Sequence, residues 1–310
     1  MSSEVREVTA ATKERRALLT GLMFGAAGAV AFSGKAIIVK LSYRYGVDAV
    51  QVIMYRMLFA LPMFALLAWW TSRNAEPMTR HDWLVVSGLG FSGYYLASFL
   101  DFAGLQYIGA SFERLILYLN PTIVLILSVV LFRHRVSRAQ WIALALSYAG
   151  VLVVFGHDLR LSGSNAALGA ALVFASAISY AVYLVYSGTA VKRLGALRLS
   201  GLATTIACVL CIGQFFILRP PSAMHVAPEV IWLAILNATL CTFVPVLLVM
   251  FAIERIGASL TSQMGMIGPL STILLSVWLL DEPFTLWIAM GTMLVISGVW
   301  WLARAPRKVN

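Results

Sequence analysis

Apolar residues fill this chain in ten long runs, and polar residues gather mostly in the short gaps between them. The runs cover 17–39, 49–71, 83–104, 109–132, 138–155, 165–189, 199–218, 229–252, 257–280 and 285–303. A helix needs about 20 consecutive apolar residues to cross bilayer hydrocarbon, whereas a barrel strand shows about ten of alternating character. These runs are continuous, so the pattern predicts an all-α integral membrane protein with ten transmembrane helices. Residues 1–16 are rich in charge and lack an apolar period, so they are expected to form a disordered tail. Lys13, Arg15 and Arg16 precede the first run as in a secretory signal. That run is too long for a signal and has no Ala-x-Ala cleavage site, so it reads as a retained span.

The runs also repeat. Trp83–Phe102 matches Trp232–Phe251 at an offset of 149 positions. Ile108-Gly109-Ala110-Ser111 returns as Ile256-Gly257-Ala258-Ser259 at an offset of 148. The second offset brings Pro121 onto Pro269, Ser128 onto Ser276, Gly150 onto Gly298 and Gly21 onto Gly169. Small and helix-bending residues that recur in register indicate a duplication. The halves are 17–155 and 165–303, with a linker at 156–164 and a short tail at 304–310. Each half has five spans, an odd number, so the two enter the bilayer from opposite sides. Inverted repeats of this kind build a site at their interface near the midplane and expose it alternately to either side.

Composition fixes the setting. Hydrophobic residues make up 61% of the chain and charged residues 12%, against roughly 45–50% and 25% in soluble domains. The net charge of +10 does not indicate nucleic acid, because the basic residues are dispersed among the gaps and form no compact patch. Sixteen of them fall on the side shared by both termini, and four (Lys40, Arg44, Arg160 and Arg219) on the other. The positive-inside rule then puts both termini in the cytoplasm of a multi-pass inner (plasma) membrane protein. Cys208, Cys211 and Cys241 lie inside apolar runs and read as small buried hydrophobes rather than a redox pair. The four histidines sit in gaps without metal-ligand spacing, so neither metal nor cofactor is expected. Nucleotide-binding and hydrolase motifs are missing, which argues against an enzyme.

The segment Leu279-Leu280-Asp281-Glu282-Pro283-Phe284-Thr285, followed by Trp287, Gly291 and Gly298, resembles the EamA-type repeat of the drug/metabolite transporter superfamily. Both halves share the likeness, and it covers nearly the whole chain. The first half departs from it where Arg133-His134-Arg135 replaces the acidic turn. The resemblance implies ten helices around a central cavity. The third, fourth, eighth and ninth spans would line it with the first and sixth, and the fifth and tenth would be peripheral. Among ten-helix members the chain is most similar to YddG-type exporters of aromatic amino acids.

Several side chains are candidates for the transport path. Tyr94, Ser98 and Asp101 share one face of the third span, and Ser176, Tyr180, Tyr183 and Ser187 one face of the sixth. Hydroxyls are costly against lipid, so these faces should point inward. There they would either bind a planar amphipathic solute or simply pack between helices. Ser262 and Gln263 make the ninth span polar for its depth. Lys35, Arg56, Asp101, Glu113 and Arg114 are charges within the runs. At about 1.5 Å per residue all five fall toward the outer leaflet, so they can meet as one network. Such a network would act as an outer gate that attracts a carboxylate, or as a structural ion cluster with side chains snorkelling to headgroups. Pro121, Pro245 and Pro269 interrupt spans as hinges or as static kinks. The expected function is secondary export of small amphipathic metabolites, chiefly aromatic or hydrophobic amino acids, by alternating access. The alternative is a transporter of the same superfamily for a drug cation, a purine or a sugar phosphate. The partners are then a small-molecule substrate and the lipid bilayer, without nucleic acid, and a monomer is the expected unit.

Overall fold

A computed structural model describes residues 3–132, 138–162, 164–264 and 267–304. Side chains at 1–17 and at scattered later positions, Ser262 and Gln263 among them, lie outside the described set. The described residues form helices and turns only, in the order α1 (Ser3–Tyr43), α2 (Ala49–Ser72), α3 (Arg80–Leu89), α4 (Ala97–Leu105), α5 (Ala110–Leu117), α6 (Asn120–Phe132), α7 (Arg138–Ser162), α8 (Ser164–Leu194), α9 (Ala196–Leu218), α10 (Pro228–Ala238), α11 (Val244–Met264), α12 (Ile267–Leu280) and α13 (Leu286–Arg304). Eight continuous helical stretches are long and apolar enough to cross a membrane, and two shorter apolar helices, Ile267–Leu280 and Leu286–Gly298, follow them. Side chains such as Trp69, Trp70, Trp232 and Trp278 stay exposed, as a lipid solvent permits.

Local chemistry sets the ends. Asp48 caps α2 in a reciprocal box with Gln51, and Thr79 does the same for α3 with Asp82. Pro228 opens α10, where its missing N–H costs nothing. Gly195 takes φ +81° between α8 and α9, a conformation that side chains resist.

Three spans are interrupted. A π-helical turn, Gly90–Leu96, separates α3 from α4, and a second, Thr239–Phe243, separates α10 from α11. They begin 149 positions apart, the offset that also relates Trp83 to Trp232. The second lies directly before Pro245, which has no N–H and crowds the carbonyl of Cys241; the wider turn accommodates both faults. In the fourth span Pro121 cannot donate to the carbonyl of Leu117. The chain instead turns at 118–119, where Leu119 N–H reaches Ile116, and α6 restarts with Thr122 and Ile123 donating to Leu119. Pro269 sits buried in the first turn of α12.

Helices pair through small residues. α7 lies along α13 where Gly150 faces Gly291: a Cβ on either would sit 2.6 or 2.7 Å from the other's carbonyl oxygen. α4 lies along α8, α2 along α9, and α1 along both α11 and α12. A Cβ on Gly25 would be 3.1 Å from Met264 Cβ and 3.7 Å from Ala252 Cβ. A straight helix would hold those two residues about 18 Å apart, so the chain doubles back within α11 beside Gly21, which abuts Ile256. Gly169 abuts Ile108 beside the 106–109 turn in the same way, and both pairs obey the 148 offset.

Three expectations need correction. Helix α1 begins at Ser3 rather than at 17. Residues 10–17 are mostly Ala, Lys, Glu and Arg, strong helix formers that extend an existing helix at little cost. Helical residues run across the expected gap at 253–256, and Arg255 lies over the Phe24 ring, 5.0 Å from its centroid. Residues 156–164 are helical on either side of 163.

Candidate functional site

The loops at 44–48, 106–109, 219–227 and 281–285 meet at one end of the helix set. Arg219 pairs with Asp48 at 2.5 Å, and the Arg44 guanidinium donates to the carbonyl of Leu280 at 3.0 Å. The interrupted third and fourth spans bring charged side chains just beneath these loops.

Lys35 of α1 pairs with Asp101 of α4 at 2.5 Å, and both are buried. The ammonium also lies 5.8 and 5.9 Å from the ring centroids of Phe32 and Phe102. Arg56 of α2 rests over the other side of this arrangement, 5.2 Å from the Phe102 centroid, and its Nε donates to Thr242 Oγ1 at 3.0 Å. Thr242 in turn donates to the carbonyl of Asn237, an acceptor five residues back that the π turn presents. Glu113 of α5 is 0% exposed and lies close enough to Asp101 for the two carboxyl groups to interact. Arg114 Nε stands 4.0 Å from Glu113 Oε2, an ion pair too long to be a hydrogen bond. The five charges therefore gather around Asp101 and Phe102. Several of their atoms find no hydrogen-bond partner among the described residues: Arg56 Nη1, Arg114 Nε and Nη2, Asp101 Oδ1 and both Glu113 oxygens.

A polar seal covers this cluster. Glu282 accepts from the backbone N–H of Ala110 at 2.7 Å and of Ser111 at 3.2 Å, and from the Ser111 hydroxyl at 2.9 Å. It thereby caps α5, whose own N-cap residue, Gly109, has no side chain to do so. Asp281 adopts φ +58° in the turn that delivers it. Ser111 and Ser276 hydroxyls lie 2.6 Å apart, and Lys40 donates to the carbonyls of Leu105 and Ile108 at 3.2 and 3.1 Å. Below the seal α12 packs on α5, whereas α6 lies along α8.

The aromatic candidates also meet. Tyr94 and Tyr183 bring their hydroxyls within 3.2 Å, with ring centroids 5.2 Å apart edge to face, and Tyr180 stacks on Tyr183 at 5.5 Å. Tyr183 fits the notch left by Gly93, where no Cβ would fit. Ser98 is half-buried nearby on α4. Ser176 instead donates to the carbonyl of Ala97 at 2.7 Å, a bond between helices. Ser262 and Gln263 lie on α11, their side chains outside the described residues. The three cysteines are buried and unbridged, and Cys208 Sγ lies 3.6 Å from Met57 Sδ.

Charges thus gather near one end, and the stacked tyrosines lie on the third and sixth spans beside an interrupted span. The EamA-like transporter family model matches residues 19–156 and again 167–304. The chain belongs to the EamA-like transporter family. It is 30% identical over 299 residues to the uncharacterized transporter YcbK of Bacillus subtilis, covering 92% of this chain and 94% of that one. An uncharacterized transporter of Archaeoglobus fulgidus is 22% identical over 270 residues, covering 87% and 92%. A crystal structure of 15% identity aligns with a TM-score of 0.62 over 91% of this chain and 96% of its own, a likeness of fold. The protein is thus a multi-pass membrane transporter. Sequence reasoning gave the EamA motif residue Glu282 no function. The signal was present at Gly109-Ala110-Ser111, a helix start without a capping side chain that needs an acceptor from elsewhere in the chain.

Proposed function

We propose that this EamA-like transporter exports small amphipathic metabolites, chiefly aromatic or hydrophobic amino acids, by alternating access between two inverted five-helix halves in the plasma membrane. Each half contributes one π-interrupted span, one span carrying a proline and one glycine-lined partner helix, at the offsets found in the sequence. Alternating access needs a pore closed at one end at a time. The seal of Glu282 on α5 ties residues 110–111 of the first half to 276–282 of the second, and it lies at one end only of the α5–α6 span. Pro121 and Pro269 stand where each half would bend.

The substrate class rests on the Tyr94, Tyr180 and Tyr183 group together with the excess of cations. Stacked rings with hydroxyl edges suit a planar apolar moiety. Unsatisfied guanidinium atoms of Arg56 and Arg114 suit a carboxylate. A lipophilic cation would meet three cationic side chains against two acids. Counterflow in proteoliposomes with labelled tryptophan, labelled threonine and a cationic dye tests this reading. The expected result is exchange of tryptophan above threonine, with dye excluded. Dye exchange without amino acid exchange would overturn the substrate class, and no exchange of any labelled solute against itself would overturn the proposed export activity.

A further inference from the structure

We propose that Asp101 and Glu113 form a proton-binding site that controls the seal at the 106–109 end. Glu113 is fully buried, and neither of its oxygens has a donor among the described residues. The facing Asp101 Oδ1 also lacks a donor, although Oδ2 of the same carboxylate holds Lys35 at 2.5 Å. Two ionised carboxylates side by side in an apolar setting, each short of donors, is an expensive arrangement. A single proton on Glu113 removes both faults, because Glu113 then donates to Asp101 Oδ1 and the pair carries one negative charge opposite Lys35.

The surroundings explain why that proton matters. The titratable and charged groups facing the pair are Lys35 and Tyr43 from α1, Arg56 from α2 and Arg114 from α5, with Cys241 of the eighth span beside Lys35 and Arg114. Tyr43 is engaged with the carbonyl of Phe102 at 2.6 Å. When the Glu113 O–H bond breaks and the proton passes to water, the new carboxylate repels Asp101 and draws on Lys35 and Arg114. The only described ion pair joining α1 to α4 then has a competitor. Glu113 and Arg114 lie within one turn of Ala110 and Ser111, which Glu282 holds, so a shift of α5 pulls on the seal itself. Proton loading closes this end, and proton release favours its opening.

The inference rests on a protein that opens and closes, and on no particular substrate, since neither measurement below uses one. The first is infrared difference spectroscopy of the reconstituted full chain at pH 7, for a carboxylic C=O band that shifts in D2O. The band is expected in the wild type and is lost in E113Q. Its absence from the wild type overturns the proposal whether or not any variant folds. The second is the spin-label distance between Q106C and F284C, both on exposed loops of the sealed end. Between pH 6 and pH 9 the short-distance population should fall at least tenfold in the wild-type background. It should stay short at both values in E113Q, the uncharged isostere. D101N, which removes the neighbouring negative charge, should release the proton at lower pH. A pH response in E113Q equal to that of the wild type overturns the proposal.

Discussion

Lys35 and Asp101 are held where neither can be lost alone. Both are buried, and removing one partner strands a charge that water cannot reach. Such losses cost about 3–5 kcal/mol, while replacing both partners with apolar groups of similar volume is often neutral. K35M should therefore lower the thermal midpoint of the detergent-solubilised protein sharply, and the double variant K35M/D101L should recover most of the loss. Equal destabilisation by the single and double variants would mean that the pair is not the source. Glu282 acts through a different kind of bond. E282A leaves the first two N–H groups of α5 without acceptors, a capping loss of about 1 kcal/mol. The midpoint should fall only modestly, while labelling of a cysteine at Ser276 from the sealed end should rise. At this scale the sequence was half legible. Counting residues from the run ends put the five charges at one depth, and the structure sets Lys35, Asp101, Glu113 and Arg114 near one another, with Arg56 beside Phe102. It did not pair Lys35 with Asp101 or Glu113 with Asp101, because depth along a helix leaves open which way each helix is rotated. Ser176 shows the same limit: it shares a face with Tyr180, yet its hydroxyl serves the carbonyl of Ala97.

Among elements, the informative features are the interruptions. A proline is visible in sequence, and Pro121, Pro245 and Pro269 fall where helices restart or turn. The π turns were invisible, since neither Gly90–Leu96 nor Thr239–Phe243 has a composition that marks one. The first goes with close packing, where Gly90 lets the third span approach the carbonyl of Ala203 and Gly93 receives the Tyr183 ring, and the second goes with Pro245. The α5–α6 break offers a direct test. P121A restores a donor for the Leu117 carbonyl and removes the ring clash, which favours a continuous helix. If the break is a hinge, P121A should raise the thermal midpoint or leave it unchanged while slowing tryptophan counterflow several-fold. A variant with the wild-type rate and the wild-type distance between labels at 106 and 284 would make the break a static kink.

For the whole molecule the decisive question is how often the chain crosses the bilayer. Only eight described stretches are long and apolar enough by themselves, and α12, at 14 residues, reaches about 21 Å, short of the ~30 Å of hydrocarbon. The geometry around α1 is nonetheless what a ninth crossing would require. Gly25 packs beside Ala252 and Met264 together, a Cβ on Gly34 would lie 2.9 Å from Cys241 Sγ, and Ser33 donates to the carbonyl of Gly268 at 2.8 Å. Two stretches thus run side by side along α1, one descending through 241–252 and one returning through 264–272. We expect ten crossings, with α13 spanning as well, and an even count would put both termini on one face. That side carries most of the basic residues, so it should be the cytoplasm. Single cysteines at positions 5 and 310 should then react with a membrane-impermeant maleimide only after the cells are permeabilised, and one at 106 should react in intact cells. Cys208, Cys211 and Cys241 are buried, which keeps the background low. A path of nine crossings instead sends positions 5 and 310 to opposite faces. The halves would then lose their inverted relation.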